Sequence, residues 1–271
     1  MLDLRMHILD SVVDYFVVVN SVESIGSYKT HVADSSPAPF RHKTLWLTLP
    51  KLEPPLTANS STWDEKKYSS DRMQREKYQR DRMLHAALAV SKSEDDFLLC
   101  SDVDEIPDPR IINKIEKIQP LFRVPLDFYY YNVNCSAGIW YEGTTVGRLH
   151  QYKTLGGVGN IRWSRMVPCW GHSAGWHFSY FGGFDRIRNK VQNFSHAGDD
   201  ICINMLKRSD TENREIIRKG LDLFGRTDQK LERHSSDDPS LPEYFLKHKD
   251  RYPHFFDPEI DKELRNAVSS V

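Results

Sequence analysis

The chain has 271 residues, 39% of them hydrophobic and 28% charged, which suits a globular protein with room for one large α/β domain or two small ones. Lys and Arg number 37 against 38 Asp and Glu, so there is no basic footprint for nucleic acid. No apolar run reaches the length of a membrane span, and Met1-Leu2-Asp3-Leu4-Arg5 is not a signal peptide.

These features predict a cytoplasmic protein; the alternative is a domain cut from a longer chain. The cysteines, Cys100, Cys135, Cys169 and Cys202, are widely spaced and include no CxxC pair, so a zinc site is not expected. Four free thiols are the expectation. The N-x-S/T sequons at Asn59, Asn134 and Asn193 are read as chance matches.

In chain order, Leu2, Met6, Leu9 and Val13 recur at helical spacing and predict a helix over 2–13. Tyr15-Phe16-Val17-Val18-Val19 is β-branched and aromatic, a buried strand. Residues 21–42 are polar and read as loop. Leu45, Leu47 and Leu49 alternate with Thr44, Trp46 and Thr48, a second strand ended by Pro50. The longest helical pattern spans 63–91. Its run of Arg72, Gln74, Arg75, Gln79, Arg80 and Arg82 is read as a solvated face.

Phe97 to Cys100 is a short apolar strand, and 109–118 a helix introduced by Asp108-Pro109. Phe122 to Val133 reads as strand, 139–153 as a hairpin around Glu142-Gly143, and 156–160 as a flexible glycine loop. Ala174 to Gly183 is a strand. Helices follow at Phe184 to Phe194, 199–208 and 211–219. With no internal repeat and no linker, the order of elements predicts a single domain over 1–271 built on a mainly parallel mixed sheet flanked by helices.

The acidic stretch Asp102-Val103-Asp104-Glu105 follows the strand at Phe97 to Cys100, and Pro107 is expected to stop the ladder. In extended chain Asp102 and Asp104 share a face. Two carboxylates at such a strand end suit a divalent cation and, through it, a diphosphate. A solvated loop end is the competing reading.

Three blocks taken together resemble glycosyltransferase family 17: Val12 to Val18, Ser101-Asp102-Val103-Asp104-Glu105-Ile106-Pro107, and Ala174-Gly175-Trp176-His177-Phe178-Ser179. Tyr244-Phe245-Leu246-Lys247 and Asp250-Arg251-Tyr252 extend the likeness to the tail. The best-known member of that family adds the bisecting N-acetylglucosamine of N-glycans. The resemblance implies a GT-A type fold, a UDP-sugar donor, Mn²⁺ or Mg²⁺, and an inverting transfer to a glycan acceptor. N-acetylglucosamine is the donor sugar implied, with another such as xylose as the alternative.

Glycosyl transfer then assigns roles. Asp102, Asp104 and His177 are the expected metal ligands. Arg162, Arg165 and Lys190 are candidates for the phosphate clamp, against ordinary surface ion pairs. His196 has a weaker claim than His177. Trp140, Trp163 and Trp176 are candidates to stack on a sugar or nucleotide, against plain core packing. Glu105, Asp185, Asp199 and Asp200 compete as the base, with Asp200 preferred. Two rival functions remain: a sugar nucleotidyltransferase, which would need a glycine-rich basic loop after the first strand, and a non-catalytic carbohydrate-binding module.

Overall fold

The computed structural model describes residues 1–25, 38–55, 71–115, 121–164, 166–197, 199–227 and 229–269. Helix α1 (Leu2–Leu9) buries Leu4, Met6, Ile8 and Leu9 and leads into strand β1 (Phe16–Ser21). Strand β2 (Thr44–Leu49) pairs with β1 in parallel, with Val17 opposite Leu45 and Val19 opposite Leu47. Helix α2 (Asp71–Val90) packs beside this pair. The part of the long helical pattern before Asp71 lies outside the described residues.

Two further sheets carry the rest. Strand β3 (Phe97–Cys100), β5 (Phe122–Arg123) and β8 (Thr145–Arg148) form a three-stranded sheet in the order β3-β8-β5. Strands β4 (Glu105–Pro107), β6 (Leu126–Tyr130), β7 (Cys135–Trp140), β9 (Gly175–Ser179) and β10 (Glu232–Arg233) form a five-stranded one, ordered β10-β7-β6-β9-β4. Among the described residues only β1–β2 and β6–β9 pair in parallel; the other ladders are antiparallel. The expectation of a mainly parallel sheet is therefore corrected. Crossover helices do separate some strands, but short connections such as the one from β6 to β7 force antiparallel neighbours.

Several local expectations change for identifiable reasons. The hairpin at 139–153 does not form, because β7 and β8 join different sheets. The glycine loop is instead the entry to helix α5 (Val158–Trp163), with Gly157 at its N-cap and φ of +102°. Pro107 does not stop the ladder: it lies within β4, an edge strand, where one face needs no N–H. Asp108 caps helix α3 (Pro109–Ile115) as expected, its carboxylate accepting from Arg110 N at 2.8 Å.

The remaining helices are α4 (Leu149–Thr154), α6 (Phe184–Asn193), α7 (Asp200–Lys207), α8 (Asp210–Arg218), α9 (Glu243–Lys247) and α10 (Pro258–Ser269). The aromatic tail is core rather than appendage. Phe245, Tyr252 and Phe255 pack with α1, Ile106 and Phe178. Tyr252 and Arg251 both donate to the Asp3 carboxylate, at 2.6 Å each.

No two of the four cysteines are bonded; Cys100, Cys135 and Cys202 are buried and Cys169 is exposed. The sequon residue Asn134 is fully buried, donating to Asp261 Oδ1 at 2.8 Å and His234 O at 3.0 Å. No helix among the described residues is long and apolar enough to cross a membrane.

Candidate functional site

The acidic stretch is not extended. Residues 101–104 form a turn between β3 and β4, so Asp102 and Asp104 do not share a strand face. The turn closes through Glu105 N donating to Asp102 O at 3.1 Å and Ser101 Oγ donating to Glu105 O at 3.0 Å. Arg5, reaching in from α1, donates to both Asp102 O and Glu105 O. A half-buried guanidinium thus holds the turn's carbonyls, and the two aspartates splay to different partners.

Asp102 is bound by arginines. Arg80 Nη2 of α2 lies 2.8 Å from its Oδ1, and Arg162 Nη2 of α5 lies 2.9 Å from its Oδ2. Desolvation opposes its ionisation, but the two guanidiniums outweigh that and hold its carboxyl below the usual carboxylate range. Arg80 also pairs with Glu76 at 2.7 Å.

Glu105 is completely buried. Its Oε1 accepts from Trp140 Nε1 at 3.0 Å and Arg162 Nη2 at 3.1 Å. Its Oε2 accepts from Arg162 Nη1 at 3.0 Å, Asp102 N at 3.1 Å and Thr144 Oγ1 at 3.5 Å. Arg162 therefore forks onto Glu105 and shares one nitrogen with Asp102. Gly143 passes directly over this pair: a Cβ there would lie 2.1 Å from Glu105 Oε1, and its φ is +141°. The residues read as a hairpin tip are the lid of the ion pair.

Asp104 faces a different group. Lys190 Nζ of α6 is 2.9 Å from its Oδ2, and His177 Nε2 of β9 is 3.9 Å from its Oδ1. Its backbone extends the ladder, since Phe178 N donates to Asp104 O at 2.8 Å. Burial works against its charge, but Lys190 and His177 keep the carboxyl below its ordinary value. His177 stacks on Phe128 at 4.7 Å and meets the Trp140 ring at 5.0 Å. This burial lowers its pKa despite the nearby Asp104 and Glu105, so the ring is neutral at pH 7, the form that ligates metals.

Asp104 Oδ1 and His177 Nε2, 3.9 Å apart, are too far from each other for a hydrogen bond, so neither atom is spent on the other. His177 Nδ1 is buried and has no hydrogen-bond partner among the described residues. The carboxylate suits Mn²⁺ or Mg²⁺, which keep several waters or substrate oxygens, and a neutral imidazole beside it favours Mn²⁺ over the harder Mg²⁺. Asp102 offers no comparable oxygen, since both of its oxygens already face guanidiniums. No group of three His, Cys, Asp or Glu among the described residues gathers around one point.

The other candidates scatter. Trp176 is buried on the opposite side of β9 from His177, with Nε1 donating to Ser240 O at 2.7 Å, so it is core. Asp200 is exposed in the first turn of α7, and no hydrogen bond or ion pair among the described residues joins it to Asp102, Asp104 or His177. Asp199 faces His196 Nδ1 at 3.0 Å, and Asp185 pairs with Arg214 at 2.9 Å. Arg165 and the side chain of Trp163 lie outside the described residues.

Two site residues carried no sequence signal. Arg80, four after Glu76, has the pattern of an ordinary solvated helix pair, and Arg5 interrupts the apolar stripe of α1. The solvated-face reading is corrected for Arg75 and Arg80, which are 1% and 7% exposed. Arg75 donates to the carbonyls of Ser24, Ile25, Leu52 and Pro54 and to Glu23.

The family model described as glycosyltransferase family 17 matches residues 1–258. No curated protein and no solved structure gives a significant match.

Proposed function

Because the chain belongs to glycosyltransferase family 17, and so is a glycosyltransferase, we propose that it is a metal-dependent, inverting enzyme of GT-A type that moves a sugar from a UDP-sugar to a glycan hydroxyl. The donor sugar we propose is N-acetylglucosamine, with xylose as the alternative. The observation that carries this reading is the juxtaposition of Asp104, neutral His177 and Lys190 on one side of the turn.

Asp104 and His177 would hold Mn²⁺ or Mg²⁺, which neutralises the diphosphate as it leaves. Lys190 is partly exposed and already charged, its pKa raised by Asp104 against the effect of burial. It is a cation able to turn from Asp104 toward a phosphate oxygen. Arg162 and Arg80 are committed to carboxylates and serve to fix the turn. Asp102 is accordingly assigned a positioning role rather than direct ligation.

Glu105 is sealed beneath Gly143 and Trp140, with five donors around its two oxygens. We assign it positioning too. For the base, Asp200 remains the proposal, since its carboxylate is exposed and able to accept the acceptor's proton. A cytoplasmic location is part of the proposal, the Golgi lumen being the alternative.

The test pairs calorimetry with turnover. UDP should bind with Mn²⁺, bind much more weakly in EDTA, and recover when Mn²⁺ is returned. Asp104→Asn should lose transfer by on the order of two to three powers of ten while melting like the parent. Equal UDP binding with and without metal would refute metal dependence. Near-parental transfer by a folded Asp104→Asn protein would refute the assignment of this site.

A further inference from the structure

Strand β9 delivers His177 and helix α6 delivers Lys190, and both face Asp104. The connection between the two elements, residues 180–183, holds three left-handed positions: Tyr180 at φ +61°, Gly182 at +99° and Gly183 at +86°. Glycine accepts such a backbone without steric cost. A bulky side chain does not, and it persists there only where its surroundings hold it.

The sheet shows what the turn at Tyr180 achieves. Side chains alternate between the two faces of a strand. Trp176 and Phe178 of β9 lie in the core that holds Ile106 and Phe245, while His177 stacks on Phe128 on the other face. In extended chain, residue 180 would follow Phe178. The Tyr180 ring packs instead with the opposite layer, 5.2 Å from the Tyr130 ring and 5.3 Å from the Phe224 ring.

The neighbouring strand repeats the device. Tyr130 of β6 pairs in parallel with Ser179, and Tyr131 follows at φ +69° with its N donating to Ser179 O at 3.0 Å. Tyr131 joins the layer of Phe128, although Tyr129, two residues before it, lies in the other. Two left-handed tyrosines thus bring two more rings to the face that carries the site. The Tyr131 hydroxyl is spent on packing, donating to Leu221 O at 3.0 Å and accepting from Leu223 N at 2.8 Å. The Tyr180 ring meets a charge: Lys190 Nζ lies 5.0 Å from its centroid and 2.9 Å from Asp104 Oδ2.

We propose that Tyr180 is a positioning residue for Lys190, its ring face a second seat that keeps the ammonium at the site while it passes from Asp104 to a diphosphate oxygen. The proposal rests on the reading of Lys190 as a phosphate ligand. Lys190 must give up Asp104 when that carboxylate binds a cation, because like charges repel. An ammonium attracted by an aromatic face as well stays beside the carboxylate instead of swinging into solvent. A left-handed tyrosine in a turn that otherwise uses glycine is accounted for in this way by its ring.

Two measurements on the whole chain test this. In the first, lysine is labelled with ¹³C at Cε, and no metal or nucleotide is added. The Lys190 ε-methylene signal, identified by its loss in Lys190→Met, should lie upfield of the exposed lysines through the ring current of Tyr180. It should stay there in Tyr180→Phe and return to the main group in Tyr180→Leu. The second is calorimetry of UDP with Mn²⁺. Tyr180→Phe should bind within about twofold of the parent and Tyr180→Leu roughly threefold to tenfold more weakly. Tyr180→Leu should cost nothing further in a Lys190→Met background. Should Tyr180→Leu unfold, Tyr180→Gly carries both comparisons, since the left-handed backbone suits glycine. A Lys190 signal unmoved by loss of the ring would overturn the proposal. So would an equal loss of UDP affinity in both backgrounds, or Lys190→Met weakening UDP while Tyr180→Leu leaves it unchanged. If the signal moves as expected but Lys190→Met binds UDP like the parent, the phosphate reading of Lys190 fails and the ring seat stands.

Discussion

Glu105→Gln should destabilise this protein more than its near-isosteric change suggests. The carboxylate is 0% exposed and both of its oxygens face donors only: Trp140 Nε1 and Arg162 Nη2 on one, Arg162 Nη1, Asp102 N and Thr144 Oγ1 on the other. A glutamine must point its NH₂ at one of those groups, and either orientation sets donor against donor. It also removes one of the two carboxylates that neutralise Arg162. Breaking a buried pair from one side costs about 3–5 kcal/mol. The lower end applies here, about 3 kcal/mol, because Asp102 still meets Arg162 Nη2. For a chain of this size that is a fall in Tm of roughly 6–12 °C. The assay is urea unfolding followed by circular dichroism at pH 7, for Glu105→Gln, Glu105→Leu, Arg162→Met and the double variant Glu105→Leu/Arg162→Met. Replacing both partners by apolar groups should cost less than the sum of the single losses. A Glu105→Gln loss below about 1 kcal/mol, or strict additivity in the double variant, would refute the pairing as drawn.

Gly143→Ala should cost about 3 kcal/mol or more, because its Cβ would fall 2.1 Å from Glu105 Oε1 at a φ of +141°, whereas Gly138→Ala, at φ +87° with nothing within 4 Å, should cost about 1 kcal/mol; equal melting temperatures for the two would contradict the close approach. Native protein at pH 7 should release one equivalent of thiol to an aromatic disulfide reagent, from exposed Cys169, and four after denaturation without reductant. Burial pushes the Cys100 and Cys135 thiols up to about 11 and Cys202 up to about 12. A denatured count below four would reveal a disulfide and argue for the lumenal alternative.

Local pattern carried most of the elements. The β-branched run at Phe16 to Val19, the alternation at Thr44 to Leu49, and the Asp108-Pro109 cap all appear where their chemistry puts them. Strand direction was not legible, because it depends on which edge a later strand finds. Residues 141–144 link two apolar runs and look like a turn in one hairpin. Only the tertiary structure shows β7 closing on β6 and β8 on β3.

At the site, residue type was readable and partnership was not. An Asp-x-Asp pair states that two carboxylates lie close in the chain, but the turn sends Asp102 to Arg80 and Arg162 and Asp104 to Lys190 and His177. The arginines come from α2 and α5, separated from the turn by 22 and 60 residues of chain, so no local spacing encodes them. Their effect is still physical and specific. With Arg80 and Arg162 on Asp102, and Arg162 also forking onto Glu105, the cluster around Asp102 is charge-compensated before any ligand arrives. Asp104, by contrast, balances its charge with a partly exposed lysine, a cation able to exchange partners at small cost. Lys190→Met should therefore weaken UDP binding while raising the affinity of the free protein for Mn²⁺, because Asp104 would lose its competitor. Mn²⁺ affinity that falls along with UDP affinity would place Lys190 among the supports of the metal site instead of among its competitors.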